Sequence, residues 1–589
     1  MTLKTQVTFQ EIESAVGYLP IHDSLRMRAS IHPDKKLFTF LDDEGIECEQ
    51  FTYLELWQSA RAVADFLEQE TEKGDRVVLF FPQGLDFIAA FFGCLISNRV
   101  AVPLNLPNKR RVDKCVGIIK DTQAKIAIAP EKTKLKIADS FSNTDAADLV
   151  WVDSEDIPPS SALPLFGHFR SDTDTNSVAF LQYTSGSTSA PKGVMVTHRN
   201  ISLNLQMMRD SWCLNSDANM VFWQPHHHDM GLIMGQLLPV LLGNHTVIMS
   251  PNTAVRQPAI WLRAISDYQA VLSGGPNFIY DLAVTRFSER RMHDIDLSSW
   301  QIAPNGADVV RSTTLERFYN TYKDYGFKLE TFMPCYGLAE ATLFVTGGPT
   351  RQLPRSIEVD KDTLESKRKV VEVNHSESSR VLVGCGESNW ETELAIVNPE
   401  SLEACNQGEV GEIWINSLAN AKGYWNKPEI TEATFYAKTK SSDNKHYLRT
   451  GDIGFIGEDH QLYICGRLKD LIICEGRNLH PEDIEYTILE SSERIKPQSC
   501  AVFSYDKDNQ KQAMVAVIET DRELKRSLAS DAKELRLQIG RSVMDLHGVG
   551  LNKIVFIPPA TLKKTTSGKV QRSLMKELYL NGQLDVLQA

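Results

Sequence analysis

Short runs of apolar residues alternate with longer helical patterns over most of this 589-residue chain. Residues 77–81 have the composition of a buried strand, residues 86–97 that of a helix, and residues 100–104 that of the next strand. Strands connected through helices pair in parallel, and helices cover their faces. The alternation therefore predicts an α/β fold with mostly parallel sheets. Further strands are predicted at residues 126–129, 149–152, 178–181, 220–223, 246–249 and 270–272.

The character of the sequence changes near Gly466. Beyond this residue, four strand-like runs and two helical patterns predict a compact α+β unit. We therefore expect a large N-terminal domain, residues 1–467, and a small C-terminal domain, residues 468–589. A second irregular stretch, residues 346–383, is charged, contains proline and has few large apolar runs, which is typical of a surface excursion.

Charge and cysteine usage argue against several functional classes. The chain has 63 basic and 76 acidic residues and a formal net charge of −13, whereas binding of nucleic acid or anionic membranes needs concentrated positive charge. Its ten cysteines form no CxxC pair. This pattern indicates neither a disulfide framework nor a zinc site, and it favours a reducing compartment.

Two apolar stretches were considered as membrane spans. Residues 77–96 and 232–249 are both interrupted by proline and polar side chains, so we expect them to be buried core elements. The N-terminal residues do not have the pattern of a secretory signal. The sequence thus predicts a cytoplasmic protein with no nucleic-acid partner and no integral membrane association.

A loop rich in hydroxyl residues and glycine is the strongest local signal. It reads YTSGSTSAPKG over residues 183–193 and follows a predicted strand. Backbone N–H groups, hydroxyls and a lysine on such a loop can bind phosphate oxygens, although the loop does not match the Walker A pattern. A polar turn without function is the alternative interpretation. The candidate phosphate-binding residues are Thr184, Ser185, Gly186, Ser187, Thr188 and Lys192.

Four later motifs could complete a nucleotide site. The triplet Asn305-Gly306-Ala307 follows a strand-like run, and the segment from Tyr336 to Glu340 combines an aromatic ring, a glycine and a carboxylate. An aromatic face can stack on a purine, and a carboxylate near phosphates suits Mg²⁺. Asp452 could accept hydrogen bonds from ribose hydroxyls, and Lys569 lies on a hydroxyl-rich segment near the C-terminus. Each motif alone is also compatible with an ordinary turn.

Taken in order, these motifs resemble the adenylate-forming superfamily of acyl-CoA synthetases, luciferases and peptide-synthetase adenylation domains. The loop, YGxxE, RTGD, GRxKD and SGK follow one another between Thr52 and Arg572. In that superfamily a large N-terminal domain of stacked sheets carries the site, and a small mobile C-terminal domain swivels about a hinge, matched here by Lys469. The chain is most similar to the fatty acyl-AMP ligases, whose HDMGL segment resembles PHHHDMGL at residues 225–232.

The resemblance implies a role for each matching residue. Lys569, Glu340 and His228 would be catalytic, with His228 on the substrate side of the nucleotide. Glu340 and Thr184 would bind Mg²⁺. The residues next to the fatty acid would be Met230, Gly231 and Gly274. In addition to the phosphate loop, ATP would contact Asn305, Gly306, Ala307, Tyr336, Gly337, Ala339, Asp452 and Arg467.

Two positions depart from the superfamily pattern. Ser189 replaces a glycine of the phosphate loop, and Ala339 replaces the usual threonine of YGxTE. The second change removes a hydroxyl from the nucleotide site, but the form YGLAE is also similar to that of fatty acyl-AMP ligases.

The resemblance also implies the reaction. A fatty acyl-AMP ligase converts a fatty acid and Mg-ATP to acyl-adenylate and pyrophosphate. It then transfers the acyl group to the phosphopantetheine thiol of an acyl carrier protein, or of a carrier domain in a polyketide or peptide synthetase, rather than to coenzyme A. These ligases carry an insertion after YGxxE, for which residues 346–383 are the candidate. Two alternatives stay open: an acyl-CoA synthetase or amino-acid adenylating enzyme of the same fold, and a nucleotide-binding scaffold without catalysis.

Overall fold

The structure is a computed structural model that describes residues 19–107, 112–162, 172–184, 191–374, 376, 378–389, 391–440, 445–474, 477–507, 511–565 and 569–588. Its strands are β1 (Lys36–Leu41), β2 (Glu47–Thr52), β3 (Arg76–Leu79), β4 (Val100–Pro103), β5 (Ile126–Ala129), β6 (Val150–Asp153), β7 (Val178–Thr184), β8 (Lys192–Thr197), β9 (Met220–Phe222), β10 (Thr246–Met249), β11 (Ala303–Asn305), β12 (Phe332–Gly337), β13 (Phe344–Gly347), β14 (Ser356–Asp360), β15 (Ser379–Val383), β16 (Thr392–Val397), β17 (Gly411–Ser417), β18 (Leu448–Ile456), β19 (Leu462–Arg467), β20 (Ile472–Cys474), β21 (Arg477–Leu479), β22 (Cys500–Lys507), β23 (Lys511–Glu519) and β24 (Lys553–Ile557).

The helices include a π-helical segment, Met230–Leu237, that leads directly into α7. The α-helices are α1 (Ile21–Ile31), α2 (Tyr53–Glu70), α3 (Leu85–Ile96), α4 (Val112–Thr122), α5 (Glu131–Ile137), α6 (His198–Ser211), α7 (Leu238–Leu242), α8 (Pro251–Arg256), α9 (Pro258–Asp267), α10 (Asn277–Thr285), α11 (Ser312–Tyr322), α12 (Lys361–Lys367), α13 (Pro428–Phe435), α14 (Pro481–Glu490), α15 (Arg522–His547) and α16 (Arg572–Leu580).

Two sheets contain mostly parallel strands, which confirms the predicted α/β class. The larger has the order β6-β5-β3-β4-β7-β8, and only β8 is antiparallel to its neighbour. The second has the order β2-β1-β10-β9, with only β2 antiparallel. Strand β3 is buried on both faces: Val77 and Leu79 share a core with α3, whereas Val78 shares one with α4. Helices on both faces explain why these strands are continuously apolar in sequence.

A third sheet, β16-β17-β18-β19, is wholly antiparallel, and the sequence pattern did not predict it. In the ranges that the structure describes, no helix separates β16 from β17 or β18 from β19, whereas α13 lies between β17 and β18. These strands therefore do not follow the regular strand–helix alternation by which parallel sheets are recognised. The sheet matters for the site because Asp452 on β18 is paired in register with Arg467 on β19.

One predicted strand was wrong and another was shifted. At residues 270–272 only isolated bridges form, from Leu272 to Met220 and to Ile302. A Cβ on Gly274 would lie 2.4 Å from the Pro304 carbonyl oxygen, so the backbone turns here in close contact with β11 instead of continuing a ladder. The strand-like run before the Asn305 motif, at residues 300–303, is shifted along the chain: β11 begins at Ala303 and ends directly before Gly306.

The residues after β19 form the predicted α+β unit. Strands β22, β23 and β24 make one sheet, in which β24 is parallel to β23. Helices α14 and α15 pack on it around buried residues such as Ile488, Val502 and Ile539. The division of the chain into domains at residue 467 stays a prediction.

The described part of residues 346–383 is folded rather than irregular. Strands β14 and β15 form an antiparallel pair that encloses α12. Val359, Leu364 and Leu382 pack against Phe455 and Tyr463 of the third sheet. The segment is thus more ordered than a surface excursion, and its status as a family-specific insertion stays a prediction.

Among the described residues, no helix combines the length and apolar character needed to cross a membrane. The two apolar stretches of the sequence are core elements, as predicted. Helix α3 is largely buried, and the π-helical segment and α7 are buried along their whole length.

Asn204 on α6 fixes β13 beside the cavity described below. Its fully buried side chain accepts a hydrogen bond from the Phe344 N–H (2.9 Å) and donates one to the Phe344 carbonyl (2.9 Å). Asn204→Ala removes both partners from buried backbone groups, so we expect the free energy of unfolding to fall by about 2–4 kcal/mol in urea. Asn215→Ala, at an exposed position beyond the same helix, should change it by less than about 0.5 kcal/mol. Equal effects of the two substitutions would contradict this role.

Candidate functional site

The motif residues converge on one cavity of about 1350 Å³. It lies at the carboxyl ends of β4 and β7, where parallel α/β sheets commonly bind ligands. The third sheet and the segment after Lys569 contribute the opposite side. The sequence-predicted residues that line it are Thr184, Lys192, His228, Met230, Gly306, Ala307, Tyr336, Gly337, Ala339, Glu340, Arg467, Lys469 and Lys569.

Asp452 is the buried centre of a group whose other members, Tyr336 and Arg467, line this cavity, while Asp452 itself lines an adjoining cavity. Its Oδ2 accepts a hydrogen bond from the Tyr336 hydroxyl (2.7 Å), and its Oδ1 pairs with Arg467 Nε (3.0 Å). Burial and the Asp452 charge raise the pKa of Tyr336, so the phenol stays protonated and donates. The same carboxylate raises the pKa of Arg467. Each carboxylate oxygen keeps a lone pair that could accept a hydrogen bond from a ligand hydroxyl.

Glu340 lies in a short 3₁₀ turn after β12 and is fixed by Tyr424, whose hydroxyl donates to Glu340 Oε1 (2.9 Å). Burial and this carboxylate raise the pKa of Tyr424. The Lys192 ammonium lies over the ring of the same tyrosine, 4.9 Å from its centroid. Thr184 and Lys192 are cross-strand partners, so Tyr424 links Glu340 to the base of the phosphate loop. Residues 185–188 of the loop lie outside the described residues.

His228 and Asp229 form a close polar pair at the wall, with 2.5 Å between His228 Nδ1 and Asp229 Oδ1. Asp229 Oδ1 also accepts a hydrogen bond from the Met230 N–H (2.7 Å). Burial acts to raise the pKa of Asp229, but His228, the Met230 N–H and the charge of Lys569 outweigh it and lower the pKa. The aspartate therefore stays charged and holds the imidazole in one orientation.

Lys569 reaches the cavity from the C-terminal unit. Its N–H donates to Thr565 Oγ1 (3.0 Å), and its carbonyl accepts from the Thr565 N–H (2.7 Å). Burial and the Arg467 charge lower the pKa of Lys569. Nearby carboxylates, including Asp229 and Asp452, act in the opposite direction. The lysine is therefore within electrostatic range of both charged groups described above.

Lys469 lies in the 3₁₀ turn Leu468–Asp470 and also lines the cavity. Burial and the neighbouring Arg467 charge lower its pKa. Its role as a hinge stays a prediction.

One arm of the cavity is apolar. Its lining residues are Met208, Trp212, Met230, Met234, Leu343 and Phe344. Trp212 packs edge-on against Phe344, with 5.3 Å between ring centroids. Of these residues, sequence reasoning identified only Met230, in the π-helical segment. Most of residues 230–242 are buried in the core and do not line the cavity. Met208 and Trp212 are four positions apart, the spacing of one helix face, which was the available signal.

Four predicted residues do not line this cavity in the described part of the chain: Asp452, Gly231, Gly274 and Asn305. Asp452 lines an adjoining cavity of about 610 Å³, which Tyr336 and Arg467 also line. A Cβ on Gly231 would lie 2.2 Å from the Pro225 carbonyl oxygen, so this glycine, like Gly274, permits close backbone packing behind the wall. Asn305 is fully buried and donates to Asn277 Oδ1 (3.3 Å). It supports the neighbouring Gly306 rather than facing the cavity.

Sequence reasoning missed Tyr424 and Arg572, which both line the cavity. Tyr424 lies in no motif that marks it. Arg572 lies three positions after Lys569. A second cation so close to the SGK motif could have indicated that it also lines the site.

Comparison with known proteins agrees with this geometry. Residues 25–425 match the family model of AMP-binding enzymes, and residues 469–589 match that of the Disco-interacting protein 2-like AMP domain. The chain belongs to the AMP-binding enzyme family. This finding confirms the superfamily that the ordered motifs indicated.

Members of the AMP-binding family resemble the chain over nearly its whole length. The medium-chain-fatty-acid–acyl-carrier-protein ligase JamA of Moorena producens is 36% identical over 96% of both chains. The putative fatty-acid–CoA ligase FadD21 of Mycobacterium tuberculosis is 33% identical over 94% of this chain and 97% of its own. The crystal structure of a fatty acyl-adenylate ligase from Legionella pneumophila, in complex with acyl adenylate and pyrophosphate, is 36% identical. It superposes with a TM-score of 0.73 and covers 98% of this chain and 99% of its own.

The close packing at Gly231 predicts that a side chain at this position destabilises the fold. Gly231→Ala places a methyl group against the Pro225 carbonyl, so residues 225–230 must shift, and we expect the free energy of unfolding to fall by about 2–3 kcal/mol. Gly540→Ala is the control, because its Cβ would meet no described atom within 4 Å inside α15 and should stabilise by up to about 1 kcal/mol. Chemical denaturation measures both. A neutral Gly231→Ala would contradict the packing argument.

Proposed function

We propose that this AMP-binding enzyme is a fatty acyl-AMP ligase. It activates a fatty acid with Mg-ATP to acyl-adenylate and pyrophosphate. It then transfers the acyl group to the phosphopantetheine thiol of an acyl carrier protein, or of a carrier domain in a polyketide or peptide synthetase. The observation that carries the proposal is one cavity that joins a cationic end to an apolar arm. The activities named for JamA and for the Legionella ligase agree with it.

The reaction joins two anions, so positive charge and placement matter more than acid–base catalysis. A carboxylate oxygen attacks the α-phosphorus of ATP, the bond from that phosphorus to the bridging oxygen breaks, and pyrophosphate leaves. Lys192, at the base of the phosphate loop, would bind the outer phosphates. Lys569 would stabilise the charge on the α-phosphate and on the attacking carboxylate.

The buried group around Asp452 suits the nucleoside. Asp452 is held in place by Tyr336 and Arg467, so its free lone pairs would accept hydrogen bonds from ribose hydroxyls without reorganisation. Gly306 and Gly337 line the cavity on the same side, where a purine would lie. A Cβ on Gly306 would lie 2.6 Å from the Cys335 carbonyl oxygen and one on Gly337 1.9 Å from that of Leu343, so these glycines permit the close backbone packing that shapes this wall. On the opposite wall, the pair His228–Asp229 would orient the fatty carboxylate.

Mg²⁺ fits the residues around Glu340. The described residues include no group of three or more histidine, cysteine or carboxylate side chains that could hold a metal ion. Mg²⁺ is commonly bound by one or two carboxylates together with substrate phosphates and water. Glu340, with Thr184 beside the phosphate loop, would supply oxygen donors of this kind. When bound, the ion neutralises phosphate charge.

The acyl chain would occupy the apolar arm. Thioether and aromatic side chains give this arm its surface, and the edge-on contact of Trp212 with Phe344 fixes its shape. An arm of this composition binds alkyl chains by burial of apolar area, about 0.8 kcal/mol for each methylene. None of these lining residues carries a charge, so the arm favours an alkyl chain over a charged or polar side chain.

Contacts between residues 346–383 and the C-terminal unit bear on the acceptor. Lys361 Nζ donates to the Leu546 carbonyl (2.5 Å), and Glu365 pairs with Arg477 (2.5 Å). Both Lys361 and Glu365 are buried, and a buried charge that loses its partner is costly. We regard residues 346–383 as the insertion that restrains the rotation of residues 468–589 about Lys469. Restrained rotation would disfavour coenzyme A as acceptor.

Product analysis tests the proposed function. The purified full chain would be incubated with medium- and long-chain fatty acids and Mg-ATP, with and without coenzyme A, and the products identified by mass spectrometry. We expect acyl-adenylate in both reactions and no acyl-CoA. Rapid conversion to acyl-CoA would identify an acyl-CoA synthetase instead. ATP binding without pyrophosphate release for any acid would favour a non-catalytic scaffold.

Lys569→Ala should lower acyl-adenylate formation at least about 100-fold, because the ammonium acts on charge that develops in the transition state. The dissociation constant for ATP should change by less than about fivefold, because the Asp452 group and the phosphate loop remain. Pyrophosphate release and calorimetric ATP binding measure the two effects. Lys533→Ala, at an exposed position on α15, is the matched control. Unchanged adenylation by Lys569→Ala would overturn the assignment.

The double variant Lys361→Ala/Glu365→Ala tests the role of residues 346–383. It removes one charge of each sign and loosens the contact with the C-terminal unit. We expect acyl-CoA formation to rise at least about tenfold while acyl-adenylate formation changes less than about threefold. The control Lys369→Ala removes only an exposed partner of Glu409. If the double variant still excludes coenzyme A as fully as the wild type, another feature sets acceptor choice.

A further inference from the structure

The N-terminal half of α14 is held by three arginines from three different parts of the chain. Arg311, directly before α11, donates to the Glu482 carbonyl (2.9 Å), and its guanidinium lies 4.2 Å from the ring centroid of Tyr486. Arg380, on β15, pairs with Asp483 (2.9 Å). These contacts fix α14 against the N-terminal part of the molecule.

The third arginine, Arg572, makes the most extensive contacts. Its Nε and Nη2 donate to the two oxygens of Glu485 (2.6 Å each), and its Nη1 donates to Glu482 Oε1 (2.6 Å). Nη1 also lies 3.3 Å from Asp470 Oδ2. Side-chain exposure of all four residues is 15% or less. A two-pronged guanidinium–carboxylate contact fixes orientation as well as distance.

Arg572 is rigidly connected to Lys569. The two residues are three positions apart, and the intervening Gln571 donates its N–H to the Lys563 carbonyl (2.9 Å). Thr565 and Lys569 exchange the hydrogen bonds described above. A displacement of the Arg572 backbone would therefore move Lys569 as well.

Arg572 is also connected to the predicted hinge. Asp470 directly follows Lys469, and it ends the 3₁₀ turn that leads out of β19. Its contact with Arg572 spans 102 positions in sequence. The hinge turn, α14 and the segment of Lys569 thus meet at one guanidinium group.

We propose that Arg572 is a positioning residue that holds Lys569 in the cavity by joining α14 to the hinge turn. The inference rests on the proposed function, because it assumes that Lys569 assists adenylation. Three carboxylates around one guanidinium carry excess negative charge in a buried place. Such an arrangement is weak evidence for a stabilising role, whereas it gives the Lys569 segment a defined place relative to α14.

The test compares Arg572→Gln, Arg572→Lys and Asp470→Asn with the wild-type full chain. We expect Arg572→Gln to lower kcat for acyl-adenylate formation about 10- to 100-fold, with KM for ATP changed less than about threefold. Arg572→Lys keeps the charge but loses the two-pronged contact, so its rate should be intermediate. Asp470→Asn removes only the hinge contact and should lower kcat about three- to tenfold. Arg494→Ala, which breaks an exposed pair with Asp531, is the control.

A second readout follows Lys569 itself. Acetylation of Lys569 over a range of pH, measured by mass spectrometry against exposed Lys533 in the same sample, gives its apparent pKa. Burial and Arg467 lower that pKa in the cavity, so displacement of the lysine in Arg572→Gln or Asp470→Asn should raise it. Loss of the Arg572 cation alone would also favour the charged lysine. Arg572→Lys keeps that cation and Asp470→Asn removes an anion, so a raised Lys569 pKa in these two variants reports displacement.

The outcomes separate the inference from the proposed function. A lower kcat together with a raised Lys569 pKa supports the positioning role, and Asp470→Asn decides if Arg572→Gln does not fold. A lower kcat with an unchanged Lys569 pKa overturns it, as does a kcat within twofold of wild type in the folded variants. If wild-type protein forms no acyl-adenylate, the proposed function fails. The labelling experiment then still shows whether Arg572 sets the position of Lys569.

Discussion

Repulsion between two anionic reactants is the constraint on which the site depends. The structure meets it with cations from separate parts of the chain: Lys192 from β8, Arg467 from β19 and Lys569 from the C-terminal unit. Cations gathered in one cavity also repel one another: burial and, after it, the neighbouring Arg467 charge lower the pKa of Lys469 and of Lys569. Nearby carboxylates partly offset this repulsion between the cations. Each carboxylate must be fixed in position so that it does not block the binding site of the ligand.

The hydrogen bonds around these carboxylates provide that control. Tyr336 and Arg467 bind the two oxygens of Asp452, while Tyr424 binds Glu340. Both tyrosines keep their protons because burial and the adjacent carboxylate raise their pKa values. Fixed dipoles of this kind need little reorganisation when charge develops during a reaction. The phenols of Tyr336 and Tyr424 thus have an electrostatic role that the sequence motifs alone do not indicate.

The sequence predicted the parallel core and the motif residues for different reasons. Strands such as β3 and β10 are recognisable because burial on both faces requires continuous apolar runs. The third sheet was missed because its antiparallel strands do not follow the regular strand–helix alternation, although its residue Asp452 was recognised through a motif. Gly231 and Gly274 illustrate the reverse case. Both were predicted to lie next to the fatty acid, but neither lines the cavity, and their lack of a side chain permits close backbone packing. Spacing alone does not distinguish a glycine at a substrate from a glycine at a backbone contact.

Helix α14 connects the two aspects of the protein that sequence reasoning treated separately. Arg380 binds it from the predicted insertion, and Arg572 binds it from the segment of Lys569. Rotation of residues 468–589 would pull on the Arg380–Asp483 pair, whereas Arg572 and its carboxylate partners all lie within the rotating unit and would move together. Separation of the buried Arg380–Asp483 pair would leave unpaired charges, which opposes that rotation and keeps α14 in place. The predicted insertion, which would restrain the acceptor step, thus also holds α14 through Arg380. Arg572 positions Lys569 through the same helix. Choice of acceptor and rate of adenylation are therefore physically coupled.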